Sequence, residues 1–214
     1  FHARMTPAMD ALVAALRAAG AEVIDPVRIG SLGKFGSATG DLLSYEFKDG
    51  INRYLATPGR ETPMNTLADL IAFNEAHRAE EMKYFGQEDF LAAQARGPLT
   101  DQVYLDAKAT CLRLAGTEGL DPALDGQKLD ALVMFTRGVA TLSDPFNGEG
   151  GSGCSSTIAA VAGYPSITVP ATQFFGLPVG VSFVGRPWSE AKLLALAADF
   201  EAITKARRAP KFLP

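Results

Sequence analysis

The sequence predicts an α/β fold on three observations. Apolar residues recur at helical spacing in several segments, for example Met9, Leu12 and Leu16 near the N-terminus. Short apolar runs typical of buried strands occur as well, and residues 129–135 are the clearest of them. The composition, 47% hydrophobic and 21% charged, is that of an ordinary globular protein and excludes wholesale disorder. Helices that lead into buried strands are the repeating unit of α/β proteins.

The first predicted elements are a helix and a short strand. Thr6 can cap a helix that has Pro7 at its first position, where the missing N–H costs nothing. Gly20 ends this helix, because glycine tolerates the left-handed backbone that a helix end often needs. Residues 21–24 form a short apolar run before an Asp-Pro pair and predict a buried strand.

The middle of the chain is predicted to be helical. The glycine-rich residues 28–40 are expected to form a loop, and they lack the Gly-Lys-Ser/Thr ending of a phosphate-binding loop. Thr66 and Asp69 have the spacing of a capping box and begin a helix. Further helices are predicted over residues 41–56, 87–96 and 100–118.

The C-terminal part combines strands with one long loop. Residues 129–135 predict a central strand that is apolar on both faces. Residues 136–155 are expected to form a loop whose length is typical of a functional segment. The remaining predictions are a helix over 156–162, strands over 166–169 and 179–184, and a helix over 189–206 capped by Ser189, with Trp188 stapled to Leu193.

Composition excludes several functional classes. The 24 acidic and 20 basic residues give a net charge of −4, which argues against a nucleic-acid partner. No apolar run approaches the ~20 residues of a membrane span. Cys111 and Cys154 are too few for a disulfide framework or a zinc site, so a reduced, cytoplasmic protein is expected. The N-terminus does not resemble a signal peptide. The chain begins with Phe1 and lacks an initiator methionine, which indicates a processed, trimmed or internal start.

Metal and cofactor sites are not expected. His2 is terminal, and His77 has no second histidine or cysteine at ligand spacing. His77 is therefore interpreted as a surface residue, and no cofactor is predicted.

Residues 150–156 (GGSGCSS) allow two interpretations. A serine framed by glycines and followed by a helix fits a nucleophile turn, because small residues permit a sharp turn and helix N–H groups can hold an oxyanion. Alternatively, the glycines form a tight loop and Ser155 or Ser156 caps the helix. The spacing favours capping, and Cys154 is expected to be a small packed residue rather than a nucleophile.

Five segments carry a resemblance to a known family: residues 67–74, 129–133, 155–170, 176–186 and 188–194. They are similar to segments of the amidase signature family, which includes amidases similar to the A-type subunit of glutamyl-tRNA(Gln) amidotransferase. The resemblance implies an α/β fold of three layers, α/β/α, with a partial mixed sheet that corresponds to the C-terminal half of the family's domain. It also implies one partial domain over residues 1–214 and cleavage of C–N amide bonds.

The resemblance further implies a catalytic set of a lysine, a cis-peptide serine and a nucleophilic serine. A neutral lysine in a sheltered site can accept a proton relayed through one serine from the other, and backbone N–H groups stabilise the oxyanion. These three residues belong to the N-terminal half of the family, and no lysine here precedes a matching Ser-Gly block. No catalytic residue is therefore assigned, and capping is further favoured for Ser155 and Ser156.

The sequence thus predicts the C-terminal portion of an amidase-signature hydrolase, truncated or separately encoded and inactive alone. The substrate-binding candidates are Thr136, which follows a predicted strand, and Phe146, Asn147 and Gly148 in the next loop. Open α/β sheets bind ligands at strand ends, which is the reason for this choice. The expected partners are a small-molecule amide in the complete enzyme and either a second copy or a complementing N-terminal half, because a half-sheet leaves an unpaired edge.

Two other functions remain open on the sequence. One is a non-catalytic scaffold or subunit that needs a partner chain. The other is a fragment of an amidotransferase A-type subunit that delivers ammonia, which a tRNA-binding partner chain would distinguish.

Overall fold

The computed structural model describes residues 1–59, 62–148, 150 and 153–211, and the chain divides into two compact units. One unit comprises Phe1–Leu32 and Leu112–Pro214, and the other comprises Gly33–Cys111. The predicted α/β class with a partial sheet is confirmed. The α-helices are α1 (Thr6–Ala18), α2 (Gly36–Leu55), α3 (Leu67–Ala76), α4 (Arg78–Glu81), α5 (Glu88–Gln94), α6 (Gln102–Leu112), α7 (Asp121–Asp125), α8 (Ser156–Ala162) and α9 (Glu190–Thr204).

The first unit contains a three-stranded antiparallel sheet in the order β1-β3-β2. Its strands are β1 (Leu132–Phe135), β2 (Ser166–Phe174) and β3 (Leu177–Val184). Phe175 and Gly176 connect β2 to β3 with φ angles of 54° and 82°. Two successive residues with positive φ are the signature of the type I′ turn, whose twist suits a tight hairpin.

The β2–β3 hairpin is longer than the sequence predicted. The strands continue through the expected connection, and Pro170 lies within β2. Proline is tolerated there because β2 is an edge strand and a bulge separates Pro170 from Thr172. The predicted boundaries failed because each proline was treated as the end of a strand.

β1 lies at the opposite edge of the described sheet rather than at its centre. It pairs with β3 alone among the described strands and covers residues 132–135 of the predicted 129–135. The prediction of a central strand is therefore wrong for the described chain. A strand that is apolar on both faces is expected to be buried, but this pattern does not show whether the same chain supplies a strand on each side of it.

The core of the first unit lies between the sheet and helices α1 and α9. The rings of Phe183 on β3 and Phe200 on α9 meet edge to face, with centroids 5.6 Å apart, an arrangement that aromatic pairs prefer. The buried members of this cluster are Met5, Leu12, Phe135, Val169, Ala171, Val179, Val181, Phe183, Leu193, Ala197 and Phe200.

The predicted helix starts in this unit are only partly correct. Thr6 lies at the first position of α1 rather than before it. Ser189 occupies the N-cap position of α9 as predicted, but its hydroxyl donates to the carbonyl of Arg186 at 2.7 Å and makes no capping bond. Trp188 is 93% exposed and does not staple the helix to Leu193. The causes are local: a 3-10 turn over Ala3–Met5 leads directly into α1, and the Ser189 hydroxyl bonds a carbonyl three residues earlier in the chain.

The N-terminal connection differs from its prediction as well. Gly20, with φ of 95°, follows α1 as expected. Residues 21–24 belong to no strand of the described sheet, and Ile24 is exposed. The loop predicted over residues 28–40 is shorter, since α2 already begins at Gly36.

The second unit is helical, and its predicted capping box is confirmed. The hydroxyl of Thr66 accepts a hydrogen bond from the Asp69 N–H at 3.2 Å, and the Asp69 carboxylate accepts one from the Thr66 N–H at 2.9 Å. Helix α6 ends at Leu112, after which Arg113–Leu120 continues as a π-helix. None of the helices in the described part of the chain has the length and apolar character needed to cross a bilayer.

Candidate functional site

Thr136, the residue after β1, joins a cluster of four hydroxyl side chains. Its backbone N–H donates to the carbonyl of Gly180 on β3 at 2.9 Å, which holds it at the strand end. Its hydroxyl lies 2.8 Å from that of Ser182 and donates to that of Thr168 at 3.3 Å. We refer to Thr136, Ser155, Thr168 and Ser182 as the hydroxyl cluster.

Ser155 connects this cluster to the start of α8. Its backbone N–H and its hydroxyl both donate to the carbonyl oxygen of Thr136, at 2.9 and 3.2 Å. The hydroxyl also lies 3.2 Å from that of Ser182, and both serine side chains are buried. Buried hydroxyls with such partners are satisfied and fix the positions of the segments that carry them.

The predicted capping role of the serines is wrong. Ser155 occupies the N-cap position with a helical ψ of −22° and makes no capping bond. A capping side chain normally requires an extended backbone, which points its oxygen toward the free N–H groups of the first turn. Ser156 lies inside α8, and its hydroxyl is 2.9 Å from the Cys154 sulfur.

A nucleophilic role for the local serines also finds no support in the described residues. The Ser155 hydroxyl is buried and committed to fixed partners. Across the described part of the chain, no lysine ammonium is bonded to a serine hydroxyl; Lys48 donates to backbone carbonyls and Lys192 to Asp130. Ser152, which the glycines frame, lies outside the described residues.

The two residues next to the hydroxyl cluster, Arg137 and Cys154, lie at the two ends of the long loop and pair with each other. Arg137 and Cys154 form an antiparallel bridge directly beside the bonds between Thr136 and Ser155. The two ends of residues 137–154 are therefore held together. Long loops with tied ends are common carriers of binding residues.

Cys154 is exposed, whereas the sequence predicted a packed residue. The hydrogen bond from the Ser156 hydroxyl lowers the pKa of the Cys154 thiol, and backbone N–H groups of Ser156 and Thr157 and the charge of Arg137 act in the same direction. A lowered thiol pKa increases the thiolate population and therefore the reactivity of the cysteine.

Phe146, Asn147 and Gly148 lie together in a turn organised by Asp144. The Asp144 carboxylate accepts hydrogen bonds from the N–H groups of Phe146 and Asn147 at 2.9 and 3.1 Å, and from the Asn147 amide at 2.8 Å. These bonds hold the pKa of Asp144 below its usual range. The turn places the Phe146 side chain in solvent, 95% exposed.

The structure thus divides the four predicted substrate-binding residues between two places. Thr136 lies in the hydroxyl cluster, and the other three lie in the Asp144 turn. Asp144 was missed, although an aspartate two residues before Phe146 is typical of a turn in which the side chain bonds the following backbone. Thr168 and Ser182 were also missed, and their only signal was a small polar residue within an apolar strand.

No metal centre is found in the described residues, since no three of their histidine, cysteine, aspartate or glutamate side chains form a group that could hold an ion. His77 is exposed, and its ring stacks on Phe73 with centroids 4.1 Å apart.

Comparison with known families and structures extends this geometry. The family model described as Amidase matches residues 1–194. The solved structure of the native peptide amidase from Stenotrophomonas maltophilia is 46% identical, with a TM-score of 0.89, over 98% of this chain and 42% of that chain. The crystal structure of PAM12A is 47% identical, with a TM-score of 0.92, over 98% of this chain and 42% of that chain.

Curated sequences give the same result. A probable amidase of Arabidopsis thaliana is 33% identical over 211 residues, which is 96% of this chain and 38% of that protein. The A-type subunit of the glutamyl-tRNA(Gln) amidotransferase of Streptococcus mutans is 35% identical over 81 residues, which is 38% of this chain and 14% of that protein. The chain therefore spans about two fifths of the peptide amidases and of the plant protein that it matches.

Proposed function

The chain belongs to the amidase family, and from this premise we propose that it is the C-terminal portion of an amidase-signature hydrolase that cleaves C–N amide bonds. The observation that carries the proposal is the likeness to peptide amidase. That likeness extends over 98% of this chain but over only 42% of the relative, at 46% identity. Such a likeness fits a chain that contributes one part of a larger catalytic domain.

The catalytic lysine and the two serines come from the part of the enzyme that this chain does not cover. In the complete site, the neutral lysine accepts a proton that one serine relays from the nucleophilic serine, which attacks the amide carbon. Ser155 takes no part in this chemistry, because its hydroxyl is buried and holds Thr136 and Ser182. Alone, the chain is inactive.

The contribution of this chain is substrate binding. The bond between Ser155 and Thr136 holds the two ends of residues 137–154 together. Within this segment, the turn organised by Asp144 carries Phe146, Asn147 and Gly148. The exposed Phe146 ring offers an apolar contact for an amide substrate, and the Asn147 side chain offers polar groups. Peptide amides are the first substrate class to test, because the likeness to peptide amidases covers nearly the whole chain.

A chimera tests this proposal. The segment of the Stenotrophomonas maltophilia peptide amidase that aligns with this chain is replaced by residues 1–214. We expect the chimera to hydrolyse peptide amides, and a host-serine-to-alanine version to be inactive while still folding. A folded chimera without amide hydrolysis contradicts the proposal.

The same chimera tests the substrate contact. Phe146→Ala is expected to raise KM roughly tenfold, which corresponds to ~1.4 kcal/mol of binding free energy. Trp188→Ala is the matched control, since Trp188 is equally exposed and lies outside the loop. Equal KM values for the two variants contradict the assignment of Phe146.

An A-type subunit of an amidotransferase is the second candidate. It is favoured by the 35% identity to the Streptococcus mutans protein, although that match covers only 81 residues. Co-purification of the chain with a tRNA-binding partner chain would favour this alternative.

A reduced, cytoplasmic setting belongs to either proposal, because Cys111 and Cys154 are both free thiols.

A further inference from the structure

Each oxygen of the hydroxyl cluster carries one proton, and this count fixes the direction of its hydrogen bonds. The Thr136 hydroxyl donates to that of Thr168 at 3.3 Å, so its only proton is used. The 2.8 Å contact between Thr136 and Ser182 therefore has the Ser182 hydroxyl as its donor. The 3.0 Å contact between Thr168 and Ser182 then has Thr168 as its donor. These three hydroxyls form a closed ring in which each donates once and accepts once.

Ser182 is the buried member of this ring and has no remaining hydrogen-bonding capacity. Its oxygen accepts a second bond, from the Ser155 hydroxyl at 3.2 Å, which fills both of its lone pairs. Only 1% of Ser182 is exposed. A ligand at the cluster therefore meets the two threonines and not the serines.

The two threonines offer acceptors and no donors. Each has donated its proton and accepts one bond within the ring, so the described contacts leave one lone pair on each oxygen. Thr168 is exposed and Thr136 is half-buried. A Cβ at Gly180 would lie 2.7 Å from the Thr168 methyl carbon and 3.1 Å from the Thr136 hydroxyl oxygen, so the glycine allows both threonines to lie here. A group that binds to these oxygens must itself be a hydrogen-bond donor.

We propose that Thr168, with Thr136 beside it, accepts the N–H of the terminal carboxamide of a peptide amide and thereby selects amides over esters. The inference rests on the proposed function. A carboxamide supplies the N–H donor that these oxygens lack, whereas the matching ester places an acceptor oxygen against two other acceptors. A site built to bond an N–H rejects an analogue without one, because its polar groups are then left unpaired. Thr168 is therefore a specificity-determining residue.

Ligand binding by the inactive chimera, in which the host serine is alanine, tests this contact without turnover. Isothermal titration calorimetry compares a peptide amide with the matching peptide methyl ester. We expect the amide to bind about fivefold more tightly, as one additional hydrogen bond provides. Thr168→Val keeps the shape of the side chain but removes the acceptor, and it should reduce this ratio to about one. Thr168→Ser keeps the hydroxyl and should retain the ratio.

Thr172→Val is the matched control. It makes the same exchange on β2, beyond the bulge and outside the hydroxyl cluster, and should leave the ratio unchanged. A purely structural role of Thr168 would weaken the binding of amide and ester equally, so the ratio of the two affinities is the readout. The urea midpoint of each variant measures the accompanying change in stability.

The outcomes separate the inference from the proposed function. Equal affinities for amide and ester in the inactive chimera, or binding of neither, overturn the inference without reference to any variant. A ratio that survives Thr168→Val also overturns it, even when the serine-containing chimera hydrolyses peptide amides. A ratio that depends on Thr168, in a chimera whose serine-containing form is folded but inactive, contradicts the proposed function alone. An unfolded chimera contradicts both.

Discussion

The backbone N–H and the hydroxyl of Ser155 both donate to one acceptor, the carbonyl oxygen of Thr136, at 2.9 and 3.2 Å. Thr136 directly follows β1, and Ser155 directly precedes α8. The bonds between them therefore hold the two ends of residues 137–154 together. Ser155 thus has a structural role, because its buried hydroxyl and its N–H hold two separate segments of the described chain together.

Removing the Ser155 hydroxyl should destabilise the chain. Ser155→Ala deletes a buried donor from the hydroxyl cluster and is expected to lower the free energy of unfolding by about 1–2 kcal/mol. Ser156→Ala, at the exposed neighbouring position, should change it by less than about 0.5 kcal/mol. Urea denaturation measures both, and equal stabilities would show that the Ser155 hydroxyl contributes nothing.

Cys154 should be the reactive thiol of the chain. Its pKa is lowered by the Ser156 hydroxyl, and it is exposed, whereas Cys111 is buried. Near neutral pH, we expect iodoacetamide to modify Cys154 roughly tenfold faster than Cys111 or more. Ser156→Ala should raise the pKa and slow the reaction, as measured by peptide mass spectrometry. Faster modification of Cys111 contradicts this interpretation.

The capping box of α3 should contribute measurable stability to the second unit. Thr66→Ala removes the acceptor of the Asp69 N–H and is expected to cost about 1 kcal/mol, whereas Thr66→Ser keeps the hydroxyl and most of the stability. Chemical denaturation followed by circular dichroism compares the variants. A serine variant as unstable as the alanine variant would assign the loss to the Thr66 methyl group instead.

Tyr164 should make stability depend on alkaline pH. Burial and the hydrogen-bonded Asp121 carboxylate raise the pKa of Tyr164 to about 12. A folded-state pKa above the unfolded value of about 10 stabilises the fold fully below pH ~10, and the contribution is lost as pH rises toward ~12. The stability difference between the parent and Tyr164→Phe should therefore shrink across that interval in urea titrations. A constant difference contradicts the coupling to Asp121.

Local patterns gave the elements whose signals are local. The helix over 156–162 has the predicted bounds, and the capping box at Thr66 and Asp69 forms as expected, because both depend on neighbouring residues. The role of Ser155 failed, since its backbone angle follows from bonds to Thr136 on another element. The prediction that β1 is a central strand failed because the pattern of one segment does not specify which other strands pair with it.

The candidate site was only partly accessible from sequence. Thr136 was found as a polar residue at a strand end, but its partners Thr168 and Ser182 lie on separate strands and meet it only through the register of the sheet. The turn at Phe146 was placed in the correct loop, while Asp144, which organises it, was overlooked.

The most direct test treats the purified 214-residue chain with a fluorophosphonate and then measures hydrolysis of a peptide amide. For the 214-residue chain, we expect no covalent adduct by intact-mass analysis and no turnover above the buffer rate. For the active chimera, we expect both amide hydrolysis and a covalent adduct on a serine of the host segment. A phosphonylated serine within residues 1–214, or amide hydrolysis that Ser152→Ala abolishes, would show that the chain carries its own nucleophile.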